Sequence, residues 1–215
     1  MKNGHFRTPF GISGFIRTSY PYKLLRDILT TAEWLRRAFD APSPSYIKRN
    51  VLLRNSLPKS TWVETGTYLG ETTRFLARHS RMVYSLEPEP ALFANAKLLF
   101  KNWKNVEILN GTSEMILPAL LSKIDGNVNF WLDGHYSAGS TFQGEQNTPI
   151  VDELKNITEN LVHFNRVCLL IDDIRAFNPG QAGCEGYPSL DFLVDWARSN
   201  DFHWHIEHDI FVAKR

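Results

Sequence analysis

Three aspartates, Asp133, Asp172 and Asp173, each stand at the end of an apolar run: FWL precedes the first and LLI precedes the pair. If both runs are buried strands and neighbours, they deliver three carboxylates to one place. Like charges so gathered need a proton or a cation to neutralise them. Oxygen ligands without cysteine suit Mg²⁺, Mn²⁺ or Ca²⁺, which makes Asp133, Asp172 and Asp173 a candidate metal set. The same residues also admit a metal-free arrangement, with one aspartate capping a helix and another paired with Arg175. Adjacent strand residues point to opposite faces, so Asp172 and Asp173 need not both be ligands. His135 lies two positions beyond Asp133, and its ordinary pKa suits a general base at neutral pH. Asp133 and His135 are the candidate catalytic residues; a histidine that merely hydrogen-bonds within the loop is the alternative.

A second group of residues could hold a ligand. VETGTYLGETT reads as a strand end, a glycine-bearing turn and the start of a helix, an arrangement that points backbone N–H groups at a nucleotide-like molecule. The glycines are spaced Gly66-x-x-x-Gly70, with Glu64 just ahead, and no G-x-G-x-x-G occurs. A carboxylate there opposes a pyrophosphate and suits a ligand with an ammonium or hydroxyls. S-adenosylmethionine has both. Thr72 in the helix's first turn can cap it or reach the ligand. Glu87 ends the next apolar run, MVYSL, about 20 residues on, where an acid grips ribose hydroxyls in nucleotide-binding folds. The turn Asn110-Gly111-Thr112-Ser113 follows a third run, and lies beside the base if a nucleoside binds; otherwise Thr112 or Ser113 is a plain N-cap. The candidate cofactor set is Glu64, Gly66, Thr67, Tyr68, Gly70, Thr72, Glu87, Gly111, Thr112 and Asp133. A lone tight turn without a ligand is the bland reading of the same loop.

These residues need elements to position them. Apolar runs near residues 61–64, 82–86, 106–109, 127–132 and 166–171 alternate with helical patterns from Glu71 and over 90–103, 114–122, 149–161 and 188–199. Residues 202–206 and 210–214 read as a terminal hairpin. Five β–α steps and a hairpin make an α/β fold: a Rossmann-like, mostly parallel, seven-stranded sheet with helices on both faces and a C-terminal antiparallel hairpin. Ahead of it, residues 22–40 carry Leu24, Leu25, Ile28, Leu29, Ala32, Leu35 and Phe39 at helical spacing. Residues 45–55 form a second helix, whose Lys48, Arg49 and Arg54 read as a solvated face. Residues 1–57 are therefore an N-terminal arm and helices, and residues 58–215 the sheet domain. The polar loop of residues 137–148 is long for a βα connection, a feature of functional loops.

Composition sets bounds. The chain has 215 residues, a net charge of +1 and two cysteines, Cys168 and Cys184. That charge gives no reason to expect a nucleic-acid or anionic-membrane surface. Cys168 inside a buried run suits a reduced, cytoplasmic protein. No signal-peptide core and no bilayer-length apolar run is present. The partner expected is a small-molecule acceptor, and the N-terminal arm and helices offer a surface for a homo-oligomer.

Taken together, VETGTYLGETT, VYSLEPEP, FWLDGHY and LLIDDI resemble the motifs of class I S-adenosylmethionine-dependent methyltransferases. More narrowly, they resemble the metal-dependent O-methyltransferases, the catechol O-methyltransferase-like and TylF-type sugar enzymes. The resemblance covers residues 61–215. It implies that Glu64, Gly66 and Glu87 bind cofactor and that Asp133, Asp172 and Asp173 hold Mg²⁺. It further implies that the metal activates a hydroxyl on a sugar or catechol-like acceptor. The loop after Asp133 departs from the catechol-type pattern. Two other readings of a Rossmann sheet remain: a nicotinamide-dependent oxidoreductase or epimerase, and a non-catalytic cofactor-binding module.

Overall fold

The computed structural model describes residues 20–134, 148–181 and 184–215. His135, most of the polar loop and the start of the arm lie outside the described residues.

Seven strands form one sheet in the order β3-β2-β1-β4-β5-β7-β6. They are β1 (Thr61–Thr65), β2 (Met82–Glu87), β3 (Val106–Asn110), β4 (Gly126–Leu132), β5 (Phe164–Ile171), β6 (His203–Glu207) and β7 (Ile210–Lys214). The first five are mutually parallel. The hairpin β6–β7 inserts β7 antiparallel to β5, so one reversed strand separates β5 from β6. The expected seven-stranded sheet with its terminal hairpin is the observed one.

Period-two alternation sorts the strand residues into two cores. Val63, Phe130, Leu132, Leu169 and Ile171 face α5 (Ser113–Leu121), α6 (Ile150–Asn160) and α7 (Leu190–Ser199), burying Leu117, Leu154 and Leu193. Trp62, Trp131, Cys168, Leu170 and Val212 face the other way, onto Val51 and Leu52 of α2 (Ser45–Asn55) and Leu76 of α3 (Glu71–Ala77). On that second face α4 (Pro90–Phe100) covers the β2–β3 edge through Ala96 and Phe100 against Ile108. The alternation assigns the strand-end acids too. Glu64, Asp133 and Asp172 share the parity of Trp62, Trp131 and Leu170 and fall on the α2–α3 face. Thr65 falls on the α6 face.

The first helix, α1 (Tyr20–Arg36), is turned opposite to the expectation from its apolar spacing. Leu24, Leu25, Ile28, Leu29 and Leu35 are each more than half exposed. Its polar side packs inward instead: Arg26 donates to both carboxylate oxygens of Glu71, at 3.2 and 3.0 Å. Trp34, buried against Phe39 and His208, is its apolar anchor. No described helix is long and apolar enough to cross a membrane.

Candidate active site

The sheet order reverses direction at β1, where β2 leads one way and β4 the other. A crevice opens at such a point beyond the carboxyl ends of the strands. Here it lies between the β1–α3 loop and the end of β4. Gly66 (φ +97°) is the wall: a β-carbon on it would stand 2.7 Å from the Asp133 carbonyl oxygen. Only glycine lets the two backbones close to this distance. Gly70 (φ +71°) is the N-cap of α3, and a β-carbon there would meet the Phe100 ring at 2.8 Å. Its role is to seat α3 on α4.

Beneath the loop runs a buried chain of hydroxyls ending on an acid. Thr67 Oγ1 bonds Ser85 Oγ at 2.6 Å, and Ser85 and Thr73 donate to Glu64 Oε2 at 2.6 and 2.5 Å. Glu64 is wholly buried and its Oε1 has no hydrogen-bond partner among the described residues. Burial pushes its pKa up to about 7, against the two hydroxyl donors that pull it down. An orphaned carboxylate oxygen buried beside this crevice is the feature that a ligand donor satisfies.

At the tip of β2, Glu87 Oε2 accepts the Tyr68 N–H at 2.8 Å, and Oε1 accepts the Glu89 N–H at 3.0 Å. Glu87 thus fastens the glycine loop to the second strand. Burial raises its pKa and those two N–H donors oppose the rise. Tyr68 (φ +48°) leaves its ring half exposed over the loop. At the tip of β3 the Gly111 N–H donates to the Glu87 carbonyl at 3.3 Å, and Thr112 is the N-cap of α5 without a side-chain cap bond. Thr72 is half-buried in the first turn of α3. Gly66, Tyr68, Glu87, Gly111, Thr112 and Asp133 therefore line the strand tips in sequence. Thr67 and Gly70 serve the loop from behind.

On the other side of Asp133 the acids meet a lysine. Leu132 and Ile171 are paired in register, and the Asp172 N–H donates to the Leu132 carbonyl at 3.1 Å, which brings Asp133 and Asp172 together. Lys48, from α2, donates to both carboxylate oxygens of Asp172 at 2.6 and 2.7 Å, and to Asp173 Oδ1 at 3.1 Å. Burial pulls the Lys48 pKa down, but the two aspartates outweigh it and hold the ammonium charged. Asp173 takes a left-handed conformation (φ +54°), which turns its side chain back to the same side as Asp172. Opposite faces, expected for adjacent strand residues, do not apply because the strand has ended. Asp173 Oδ1 also accepts from Arg175 at 2.8 Å, and Arg175 reaches Asp209. Asp133 is held well above the usual carboxylate range, first by burial and then by Asp172.

Two further groups complete the site. Glu153, in the first turn of α6, is buried, and Thr65 and Ser113 donate to it. Its Oε1 has no hydrogen-bond partner among the described residues, and a β-carbon on Gly134 would lie 3.4 Å from that atom. Burial raises the Glu153 pKa to about 7. The Tyr187 phenol, hydrogen-bonded with Thr148, is pushed up by burial and then by Asp173 and Asp133.

No protein-family model matches the sequence, and no curated protein matches it. Solved structures do. The N-methyltransferase NodS from Bradyrhizobium japonicum WM9 superposes with a TM-score of 0.52 at 13% identity, over 79% of this chain and 94% of that one. The 23S rRNA methyltransferase ErmE does so with a TM-score of 0.50 at 15% identity, over 81% and 68%. The chain has the fold of the class I methyltransferases. At such identities the likeness is one of fold, and one structure that shares it is an rRNA methyltransferase. The expectation that nucleic acid is excluded therefore finds no support in the architecture.

The lining is compatible with S-adenosylmethionine, since the buried Glu64 oxygen lacks a partner among the described residues and Glu87 stands at the next strand tip. The metal expectation for Asp133, Asp172 and Asp173 finds no support. Among the described residues no group of three or more His, Cys, Asp or Glu side chains could hold a metal ion. The physical reason is Lys48, whose ammonium stands between the acids at hydrogen-bonding distances. A divalent ion would need those oxygens at about 2.0–2.6 Å with the ammonium gone. Of the metal-free arrangement weighed from the sequence, with one aspartate capping a helix and another paired with Arg175, Asp173 makes the Arg175 pair and occupies an N-cap position without a side-chain cap bond.

The solvated face expected of α2 holds for Arg54, whose side chain is 59% exposed, but not for the other two basic residues. The Lys48 and Arg49 side chains are 17% and 18% exposed, and Arg49 lies 3.9 Å from Glu71. Lys48, Glu153 and Tyr187 were not singled out from the sequence. The available signal for Lys48 was negative: three acids at neighbouring strand ends demand a cation, and a lysine satisfies that demand as well as a metal. His205 and His203 are exposed on β6, as surface residues.

Proposed function

We propose that the protein is an S-adenosylmethionine-dependent methyltransferase acting on a hydroxyl of a small, polyhydroxylated acceptor such as a sugar. The observation that carries this is the crevice at the β1–β4 switch point, where Gly66 meets the Asp133 backbone beside the orphaned oxygen of Glu64. When bound, S-adenosylmethionine supplies an electrophilic sulfonium methyl. The chain's residues supply position. Gly66 lets the β1 loop close on the Asp133 backbone and so shapes the crevice, Glu87 offers lone pairs to the ribose hydroxyls, and Glu64 accepts from a buried donor. Asp133 stands where the cofactor crevice meets the carboxylate cluster, and there it orients the acceptor hydroxyl. His135, two residues on, receives its proton as the new oxygen–carbon bond replaces the sulfur–carbon bond. Holding acceptor and methyl in line accounts for most of the acceleration.

The acceptor class rests on the lining. Asp133, Asp172, Asp173 and the Tyr187 phenol give this side of the site a polar, oxygen-rich character that suits hydroxyls. The test starts with calorimetric titration of S-adenosylhomocysteine into the purified protein. Micromolar binding supports the cofactor; binding of NADH in its place returns the oxidoreductase reading. Labelled S-adenosylmethionine is then offered with sugars, catechols and transcribed ribosomal RNA in parallel. Methyl transfer to the RNA alone would reject the small-molecule acceptor, and binding without transfer to any of them would favour a non-catalytic module.

A further inference from the structure

We propose that Lys48 is the resident cation of the acceptor side of this site. Its tethered ammonium holds the position among Asp133, Asp172 and Asp173 that a divalent metal would otherwise take, and removing it converts the cluster into a metal site.

Three observations carry this. First, the geometry is that of a coordination centre. One Nζ lies 2.6 and 2.7 Å from the two oxygens of Asp172 and 3.1 Å from Asp173, so both acids are gathered on a single atom. Second, the cluster is built and shielded. The side chains of Lys48, Asp172 and Asp173 are 17%, 6% and 15% exposed, and solvent screening is correspondingly weak. Third, the lysine arrives from outside the sheet. It is on α2, which packs Val51 and Leu52 against Trp131 and Leu170, the residues that set the direction of Asp133 and Asp172. The same packing that orients the acids delivers the ammonium. Arg175 bonds Asp173 from the far side and Asp209 beyond it, so Asp173 is shared by two cations, while among the described residues Lys48 is the ion-pair partner of Asp172.

The consequence is chemical. An ammonium has one charge and directional hydrogen bonds, whereas a metal ion has two charges and open coordination positions. Lys48 therefore orients the acids and through them the acceptor, acting as a positioning residue. It cannot bind two vicinal oxygens of the acceptor as a metal does. This inference deepens the proposed methyltransferase reading at the acceptor side, but its test does not depend on methyl transfer.

The test is Mn²⁺ binding followed by electron paramagnetic resonance, on EDTA-treated wild type, Lys48→Met, Lys48→Arg and the double variant Lys48→Met/Asp172→Asn. The expected result is no stoichiometric Mn²⁺ site in wild type or Lys48→Arg, a new site at micromolar Mn²⁺ in Lys48→Met, and its loss in the double variant. Calorimetry with S-adenosylhomocysteine, expected to agree within about threefold between wild type and Lys48→Met, shows that the neutral variant is folded. A wild-type Mn²⁺ site that Asp172→Asn abolishes would overturn the proposal, and so would a folded Lys48→Met that gains no site. If Lys48→Met does not fold, wild type and Lys48→Arg decide: Asp172-dependent Mn²⁺ binding in either rejects the proposal, and its absence in both upholds it.

Discussion

The carbonyl oxygen of Asp133 lies 2.7 Å from where a β-carbon on Gly66 would stand. Two backbones from β1 and β4 thus close on each other with nothing between them. Their contact sets the width of the crevice. Gly66→Ala must do two unfavourable things: hold alanine at φ +97° and push the β4 end outward. A residue in such a conformation costs about 1–3 kcal/mol. The expected outcome is a lower melting temperature and at least a tenfold loss of S-adenosylhomocysteine affinity, by differential scanning fluorimetry and calorimetry. Unchanged affinity would show that the ligand does not use this gap.

In the proposed reading Glu87 is the second handle on the cofactor. It holds the Tyr68 and Glu89 N–H groups, one on each oxygen. Glu87→Ala releases the glycine loop and removes the ribose acceptor together, so S-adenosylhomocysteine affinity should fall by tenfold or more. Glu87→Gln separates the two effects. It keeps one loop bond and the shape but turns an acceptor into a donor. Its affinity should lie between those of wild type and Glu87→Ala. Affinity equal to wild type in both variants would remove Glu87 from the cofactor site.

Much of this site was legible because strands announce themselves. An apolar run ending in an acid gives both the strand and the residue at its tip, and Glu64, Glu87, Asp133 and Asp172 all follow that rule. Parallel pairing then forces those tips to one edge, and the paired Leu132 and Ile171 make neighbours of Asp133 and Asp172. Helical residues carry no such signal. Lys48 is separated from Asp172 by 124 positions, and one lysine on a helix is indistinguishable from a solvated one until the helix is docked. Glu153 in a first helical turn reads as an acid placed for the helix dipole, yet it points into the sheet. The orientation of α1 was missed for a related reason. Its apolar spacing names a face but not the partner, and the Arg26–Glu71 pair turned the other face inward.

Asp133 separates positioning from binding. Asp133→Asn preserves size and the backbone carbonyl that faces Gly66, while removing the carboxyl proposed to orient the acceptor. Methyl transfer should fall by about 10²–10⁴, the range of one positioned acid–base group. Affinity for S-adenosylhomocysteine should stay within about threefold. Single-turnover assays with labelled cofactor measure the first and calorimetry the second. Full activity in Asp133→Asn would place the chemistry on another residue.

Glu153 gives the protein a dependence of stability on pH. Burial moves its pKa from 4.5 when unfolded to about 7 when folded. Between those values the folded chain keeps a proton that the unfolded chain has released, so stability falls as pH rises. The contribution is complete below about pH 4.5 and gone once pH passes 7. A shift of this size corresponds to roughly 3 kcal/mol. Glu64, raised to about 7 by the same burial, adds a parallel slope. Glu153→Gln replaces the protonated carboxyl with a neutral isostere that never ionises. It should melt near wild type at pH 4.5 and several degrees above it at pH 8, with a shallower decline between. Denaturant unfolding at pH 5, 6, 7 and 8 measures the slope directly. Parallel profiles for wild type and Glu153→Gln would mean that Glu153 stays ionised in the folded chain, with a partner outside the described residues supplying the compensation.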